Sequence, residues 1–226
     1  KAIILVPTIT LVEQWEIECN KFNFSNIIKV CSKYNNWKSA VANLRLLEMT
    51  NPNNDLSYII ISTYASFVRS NVFVELNQFP KTKLLLIADE AHNMGGGLMA
   101  QRLSDIKYLR RIGLSATPER QYDDMGNRKL MDFFGCVNGY TFEYSMAEAI
   151  HNGALCRYYY YPHIVHLTET EMTEYVELSK KIVKIMGFHD EDSQERLKML
   201  LLKRKRIIHK AANKLPAFLQ IVQKRS

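Results

Sequence analysis

Asp89 and Glu90 stand side by side at the end of the apolar run Leu84, Leu85, Leu86, Ile87, Ala88, and Ala91 and His92 follow them. A short continuous apolar run reads as a strand buried on both faces, the kind found in parallel sheets. In an open α/β sheet, ligands bind at the carboxyl ends of the strands. Two carboxylates at such a place suit a magnesium-bound nucleotide, one holding the metal and the other polarising a water. Downstream, Arg111, Ile112, Gly113 and Leu114 lead in the same way into Ser115, Ala116, Thr117 and Pro118, a second strand ending in small hydroxyl residues.

The elements that must carry these residues alternate in type. Ala2 to Val6 reads as a buried strand stopped by Pro7, and Thr8 or Thr10 can cap the helix that follows, with Leu11, Trp15 and Cys19 on its apolar face. Ile27 to Cys31 and Tyr58 to Ser62 are further strands. A helix over Trp37 to Met49, a turn over Asn51 to Asp55 and a helix ending near Asn77 separate them from the Asp-Glu strand. Strands alternating with helices predict βαβ units and a parallel sheet with helices on both faces.

Beyond Phe134 and Gly135 the pattern changes. Tyr140 to Tyr144 is strand-like, and Met146 to Asn152 is a short helix closed by Gly153. Arg157 to Leu167 is a strand or extended link whose four consecutive tyrosines, Tyr158 to Tyr161, are expected to alternate in burial within a sheet rather than stack on bases. Thr170 to Met186 is helical and Gly187 to Asp192 a loop. Gln194 to Gln223 reads as one long basic helix, kinked or divided near Pro216.

The 226 residues carry a net charge of +7, and its placement is uneven. From Ser193 onward ten Lys or Arg face one acid, a local +9, so the preceding 192 residues carry −2. Lys203, Arg204, Lys205 and Arg206 suit either a nucleic-acid backbone or a solvated helix face packing through Ile207, Ala211 and Leu215. Cys19, Cys31, Cys136 and Cys156 are scattered, as expected of reduced thiols in a cytoplasmic protein rather than a zinc site or disulfide framework. His163 and His166 lack neighbouring ligands and read as strand residues. No apolar run approaches the roughly 20 residues that span a bilayer, so no membrane partner is expected.

Asp89-Glu90-Ala91-His92 after one strand and Ser115-Ala116-Thr117 after the next resemble motifs II and III of superfamily-two helicases. Pro7-Thr8-x-x-Leu11-x-x-Gln14-Trp15 is similar to their motif Ia, and Ser62-Thr63-Tyr64 to the next nucleic-acid motif. Phe142-x-Tyr144-x-Met146-x-Glu148-Ala149-Ile150, Glu171-x-x-x-Tyr175-x-x-Leu178 and the helix containing Arg204, Arg206 and Asn213 extend the likeness. Together they resemble the DEAD/DEAH-box group of type III restriction subunits and excision-repair helicases. The implied fold is a RecA-like parallel sheet of the P-loop NTPase class, incomplete here, with a mostly helical C-terminal extension.

The resemblance divides the chain into a first RecA-like ATP-binding domain over 1–135, a strand and helix linker over 136–192, and a basic helix over 193–226 leading toward a second RecA-like domain. It assigns Mg²⁺, held mostly through water, to Asp89, and the attacking water of ATP hydrolysis to Glu90. His92 would couple the nucleotide to the second domain. Ser115 and Thr117 would relay hydrogen bonds from the metal site, and one of them also suits a helix cap ahead of Pro118. Thr8, Ser62 and Thr63 would contact nucleic-acid phosphates without reading bases. Trp15 is expected in the core rather than as a base-stacking platform.

Two features depart from the pattern. None of the nine glycines lies in a Gly-x-Gly-Lys context, and the Gly95-Gly96-Gly97 run reads as a flexible loop rather than a phosphate cradle. The arginine finger of a second domain is likewise missing, so the expectation is a piece of a longer protein, itself inactive. The function expected of the whole is an ATP-dependent DNA helicase or duplex translocase, using ATP and Mg²⁺ on duplex or single-stranded DNA. Partner subunits of restriction, defence or repair would assemble with it. The alternative is a degenerate RecA-like module that binds nucleic acid or protein without catalysis.

Overall fold

The computed structural model describes residues 1–50, 56–120, 123–136, 138–188 and 190–224, so the expected turn over Asn51 to Asp55 lies outside the described residues. The chain divides into two units, Lys1–Tyr144 and Ser145–Ser226.

In the first unit, β1 (Ala2–Val6), β2 (Ile27–Val30), β3 (Ile59–Thr63), β4 (Leu85–Asp89) and β5 (Arg110–Leu114) form one sheet in the order β2-β3-β1-β4-β5. Every pairing is parallel, as the continuous apolar runs predicted. The central β1 is buried on both faces, and its alternate residues serve two cores. Ile3 and Leu5 join Ile60, Leu84, Leu86, Phe67 and Phe73 on one face. Ile4 and Val6 join Ile59, Ile61, Val12 and Cys19 on the other.

Helices cover both faces. The second face is covered by α1 (Ile9–Lys21), which Thr8 caps by accepting a hydrogen bond from the Leu11 amide. The first receives α2 (Trp37–Thr50) through Val41 and Leu44. The helix expected after β3 is broken into α3 (Tyr64–Phe67) and α4 (Ser70–Leu76). After β4 come a 3₁₀ turn (Ala91–Gly95), α5 (Gly97–Arg102), a second 3₁₀ turn (Leu103–Asp105), β5, and α6 (Asp124–Phe134). This is the RecA-like α/β sheet anticipated from the sequence. β5 leaves Ile112 and Leu114 about half exposed at one edge. Tyr140 to Tyr144 forms no strand; the rings of Phe142 and Tyr144 stack on each other, 6.4 Å between centroids.

The second unit comprises α7 (Met146–His151), α8 (Glu169–Ile185), α9 (Glu191–His209) and α10 (Lys214–Gln223). Capping boxes start two of them: Ser145 with Glu148 for α7, and Thr168 with Glu171 for α8. The segment from Arg157 to Leu167 forms neither helix nor strand, and it has no ladder partner among the described residues. Its tyrosines do not alternate in burial: Tyr159 and Tyr160 are 84% and 80% exposed, and Tyr158 and Tyr161 are exposed as well.

The long C-terminal helix is divided near Pro216, as expected: α9 ends at His209 and α10 begins at Lys214. Pro216 is the third residue of α10, in the first turn, where its missing N–H has no intrahelical partner to lose. The break sits where the chain is claimed by other partners. The Ala212 amide donates to the Glu171 carboxylate at 2.9 Å, and the Asn213 amide group donates to the His166 carbonyl at 2.9 Å. Within the basic run, Arg204 turns onto the Tyr175 ring and donates to Ser179 Oγ, while Lys203 and Lys205 face solvent.

Candidate nucleotide and metal site

The carboxyl ends of β4 and β5 lie side by side, because Ala88 pairs with Gly113 and Asp89 with Leu114 in a parallel register. The alternation of β4 decides what each residue meets. Leu84, Leu86 and Ala88 point into the larger core, while Ile87 packs with the α1 cluster. Asp89 shares the parity of Ile87, so its side chain leaves the sheet on the α1 side. There the Trp15 indole N–H donates to Asp89 Oδ2 at 2.8 Å. Asp89 Oδ1 accepts from the Glu90 amide at 3.0 Å. The Asp89 carbonyl takes the Tyr64 hydroxyl at 2.8 Å. Burial, reinforced by the Asp89 and Glu90 charges, pushes the Tyr64 phenol well above its ordinary range, so it stays a donor.

Glu90 occupies the left-handed region, φ 51° and ψ 53°, a conformation that costs a non-glycine residue about 1–3 kcal/mol. The turn is held by its own carbonyl, which accepts from the Asn93 amide and from Asn93 Nδ2, both at 2.9 Å. It brings Glu90 Oε2 to 3.3 Å from His92 Nδ1, an ion pair when the imidazole is protonated. The same nitrogen lies 3.0 Å from Ser115 Oγ, beyond the end of β5. Ser115 Oγ in turn accepts from the Thr117 amide at 3.3 Å. The expected residues Asp89, Glu90, His92, Ser115 and Thr117 are therefore neighbours at one edge of the sheet.

The three candidate strand contacts are placed differently. Thr8 is exposed at the start of α1, after β1. Ser62 is fully buried, its hydroxyl donating to the Val30 and Thr63 carbonyls, so its side chain is withdrawn from any ligand. Thr63, 6% exposed, spends its hydroxyl on the Ser66 amide and hydroxyl at the start of α3.

Arg120 is a residue the motif reading passed over. Its guanidinium donates to the His92 carbonyl at 2.9 Å and to Asp123 Oδ2 at 2.8 Å. Asp123 caps α6, and the hydrogen bond from Arg120, followed by that from the Gly126 amide, holds its carboxyl below the usual range. The arginine crosses the glycine run: a Cβ on Gly96 would lie 2.6 Å from its Nη2, and one on Gly95 2.7 Å from its Cδ. Gly95 and Gly96 are thus crossed by Arg120 rather than free as a loop, while nothing lies within 4 Å of a Cβ on Gly97, which takes a positive φ of 56°. The sequence signal was Asp123-x-x-Gly126, a helix start three residues after Arg120.

Asp89 offers hard oxygen donors at a strand end, and no group of three or more His, Cys, Asp or Glu able to cage a metal occurs among the described residues. That set fits Mg²⁺, which binds through one or two carboxylates and completes its shell with water and phosphate oxygens. It does not fit a triphosphate by itself, since these residues supply no Gly-x-Gly-Lys cradle.

A parallel sheet bearing Asp-Glu-Ala-His and Ser-Ala-Thr at adjacent strand ends defines a superfamily-two helicase-like domain. Residues 1–120 match the family described as type III restriction enzyme, res subunit, and the chain belongs to that family. Among solved structures, the type ISP restriction-modification enzyme LlaGI, a nuclease-deletion mutant in complex with a DNA substrate mimic, is 17% identical with a TM-score of 0.44. That match covers 88% of this chain and 19% of LlaGI. The Hef helicase domain of Pyrococcus furiosus is 12% identical with a TM-score of 0.31, over 97% of this chain and 53% of that one. The chain thus spans well under two thirds of either. No curated protein matches it. No helix among the described residues is long and apolar enough to cross a membrane.

Proposed function

We propose that this chain carries the metal and water side of an ATP-driven DNA translocase or helicase, acting within a complete protein that also supplies a phosphate loop and a second RecA-like domain. The observation that carries the reading is the pair Asp89 and Glu90 at the end of β4, with His92 joined to Ser115 beyond β5. Family membership supports DNA as the track.

Residues 1–135 act as the first RecA-like domain, 136–192 as a linker, and 193–226 as the basic lead toward the second. Asp89 would hold Mg²⁺, and the ion, when bound, would neutralise phosphate charge. Glu90, aimed outward by its left-handed turn, orients the attacking water and accepts its proton. His92 and Ser115 carry the state of that site to the β5 end, with Thr117 fixed behind them. Thr8 contacts the nucleic-acid backbone, and Ser62 and Thr63 shape the neighbouring strand end from within.

DNA-dependent phosphate release by the complete protein tests the reading. The expected result is ATP turnover that rises when duplex or single-stranded DNA is added. Turnover absent with every DNA tried would instead favour a binding module without catalysis.

A further inference from the structure

Asp89 is gripped from both faces of the sheet by residues whose roles the motifs leave open. Trp15 reaches it from α1, packed in the smaller core, and donates to Oδ2 at 2.8 Å. Tyr64 reaches it from the first residue of α3, buried in the larger core, and donates to the main-chain oxygen at 2.8 Å. Both donors come from far along the chain, 74 and 25 residues away, and both are embedded in packed apolar clusters.

The chemistry at stake is orientation. A carboxylate at a strand end has two soft torsions, and in water it samples several rotamers. Here one oxygen is tied to the Glu90 amide and the other to the indole, so the plane of the carboxylate is fixed and each oxygen keeps acceptor capacity for a cation or its water. The phenol fixes the Asp89 carbonyl, where the backbone leaves the strand and turns into the left-handed Glu90. Partners of this kind orient metal-binding carboxylates, and losing them costs about 10–100-fold in metal affinity or activity.

We propose that Trp15 and Tyr64 are positioning residues that set the orientation of Asp89 toward its divalent cation. The proposal rests on the reading of Asp89 as the metal carboxylate. It also places Trp15 in a role distinct from core filling: the ring packs, but the N–H is spent on the site. A phenylalanine at position 15 would keep much of the packing and lose the donor. A phenylalanine at position 64 would lose a single oxygen.

The test uses the complete protein with a non-hydrolysable ATP analogue, and counts bound Mn²⁺ by electron paramagnetic resonance. Trp15→Phe and Tyr64→Phe are each expected to weaken Mn²⁺ binding by about 10-fold. Affinity for the analogue at saturating Mn²⁺ is expected to stay at the wild-type value, which separates orientation of the carboxylate from general loosening. Excess Mg²⁺ should restore ATP turnover to Trp15→Phe and not to Glu90→Gln.

Wild-type Mn²⁺ affinity in folded Trp15→Phe would overturn the proposal. If that variant does not fold, Tyr64→Phe decides on the same terms. A wild-type complex that binds no Mn²⁺ would overturn it too. Full turnover in Glu90→Gln together with weakened Mn²⁺ binding in Trp15→Phe would remove the hydrolytic assignment of Glu90 and leave the positioning claim standing.

Discussion

His92 Nδ1 lies 3.0 Å from Ser115 Oγ, and this contact joins the turn after β4 to the turn after β5. The imidazole also has Glu90 Oε2 at 3.3 Å, so one ring nitrogen is placed between the Glu90 carboxylate and the neighbouring strand end. Ser115→Ala removes the hydroxyl and leaves the Thr117 amide without its acceptor. Side chains between coupled sites typically modulate coupling by about 0.5–2 kcal/mol. DNA stimulation of ATP turnover in the complete protein should therefore fall by about fivefold in this variant. A stimulation ratio equal to wild type would show that the contact carries no coupling.

Gly126 should resist substitution, although it lies in the first turns of α6, where alanine is the better helix former by about 1 kcal/mol. A Cβ there would lie 2.6 Å from the Gly95 carbonyl and closer still to Asp123 Oδ2. The first is backbone and cannot swing away. Gly126→Ala is expected to destabilise by about 1–3 kcal/mol, as overpacking does, read from urea unfolding. Equal or greater stability would mean that the turn after His92 yields more easily than its contacts indicate.

Acid should loosen the second unit through Glu171. Its carboxylate accepts from the Thr168 amide and, across the break before α10, from the Ala212 amide, and these bonds lower its pKa in that order. A group with a lowered folded pKa adds stability above its ordinary value, about 4.3, and loses it as pH falls through the lowered one. The same sign holds for Asp123, lowered by Arg120 and the Gly126 amide. The thermal midpoint should decline below about pH 4.3, and Glu171→Gln should flatten part of that decline. An unchanged pH dependence in that variant would show that the Glu171 bonds are also made in the unfolded chain or contribute nothing.

The sheet was legible because burial on both faces demands continuous apolar runs. Ile3 to Val6, Ile59 to Ile61 and Leu84 to Ala88 admit no other common reading at those lengths. The adjacency of Asp89 to Ser115 followed from two neighbouring strand ends. The start of α1 was legible as Thr8 or Thr10, of which Thr8 is the cap, whereas the capping box of Thr168 with Glu171 begins α8 one residue ahead of the Thr170 read from periodicity. Long-range partners were not legible. Trp15 on an apolar stripe gives no sign that its N–H will be spent on Asp89, and Ser62 in a hydroxyl motif gives none that Val30 will claim its hydroxyl. Periodicity also misread the tyrosine segment, because alternation is only a strand signal when a neighbouring strand exists to pair with. The division of the basic helix near Pro216 was legible from propensity, but the hydrogen bonds at Ala212 and Asn213 that accompany it were not.

The proposed function gives the attacking water to Glu90 and the metal to Asp89. Glu90→Gln in the complete protein keeps the shape and hydrogen-bonding reach of the side chain and removes its capacity to accept a proton. Measured together, ATP binding should persist at the wild-type level while DNA-stimulated phosphate release falls by at least about 100-fold, within the range assigned to general-base groups. Phosphate release near the wild-type rate, in a variant that binds ATP and DNA normally, would contradict the account.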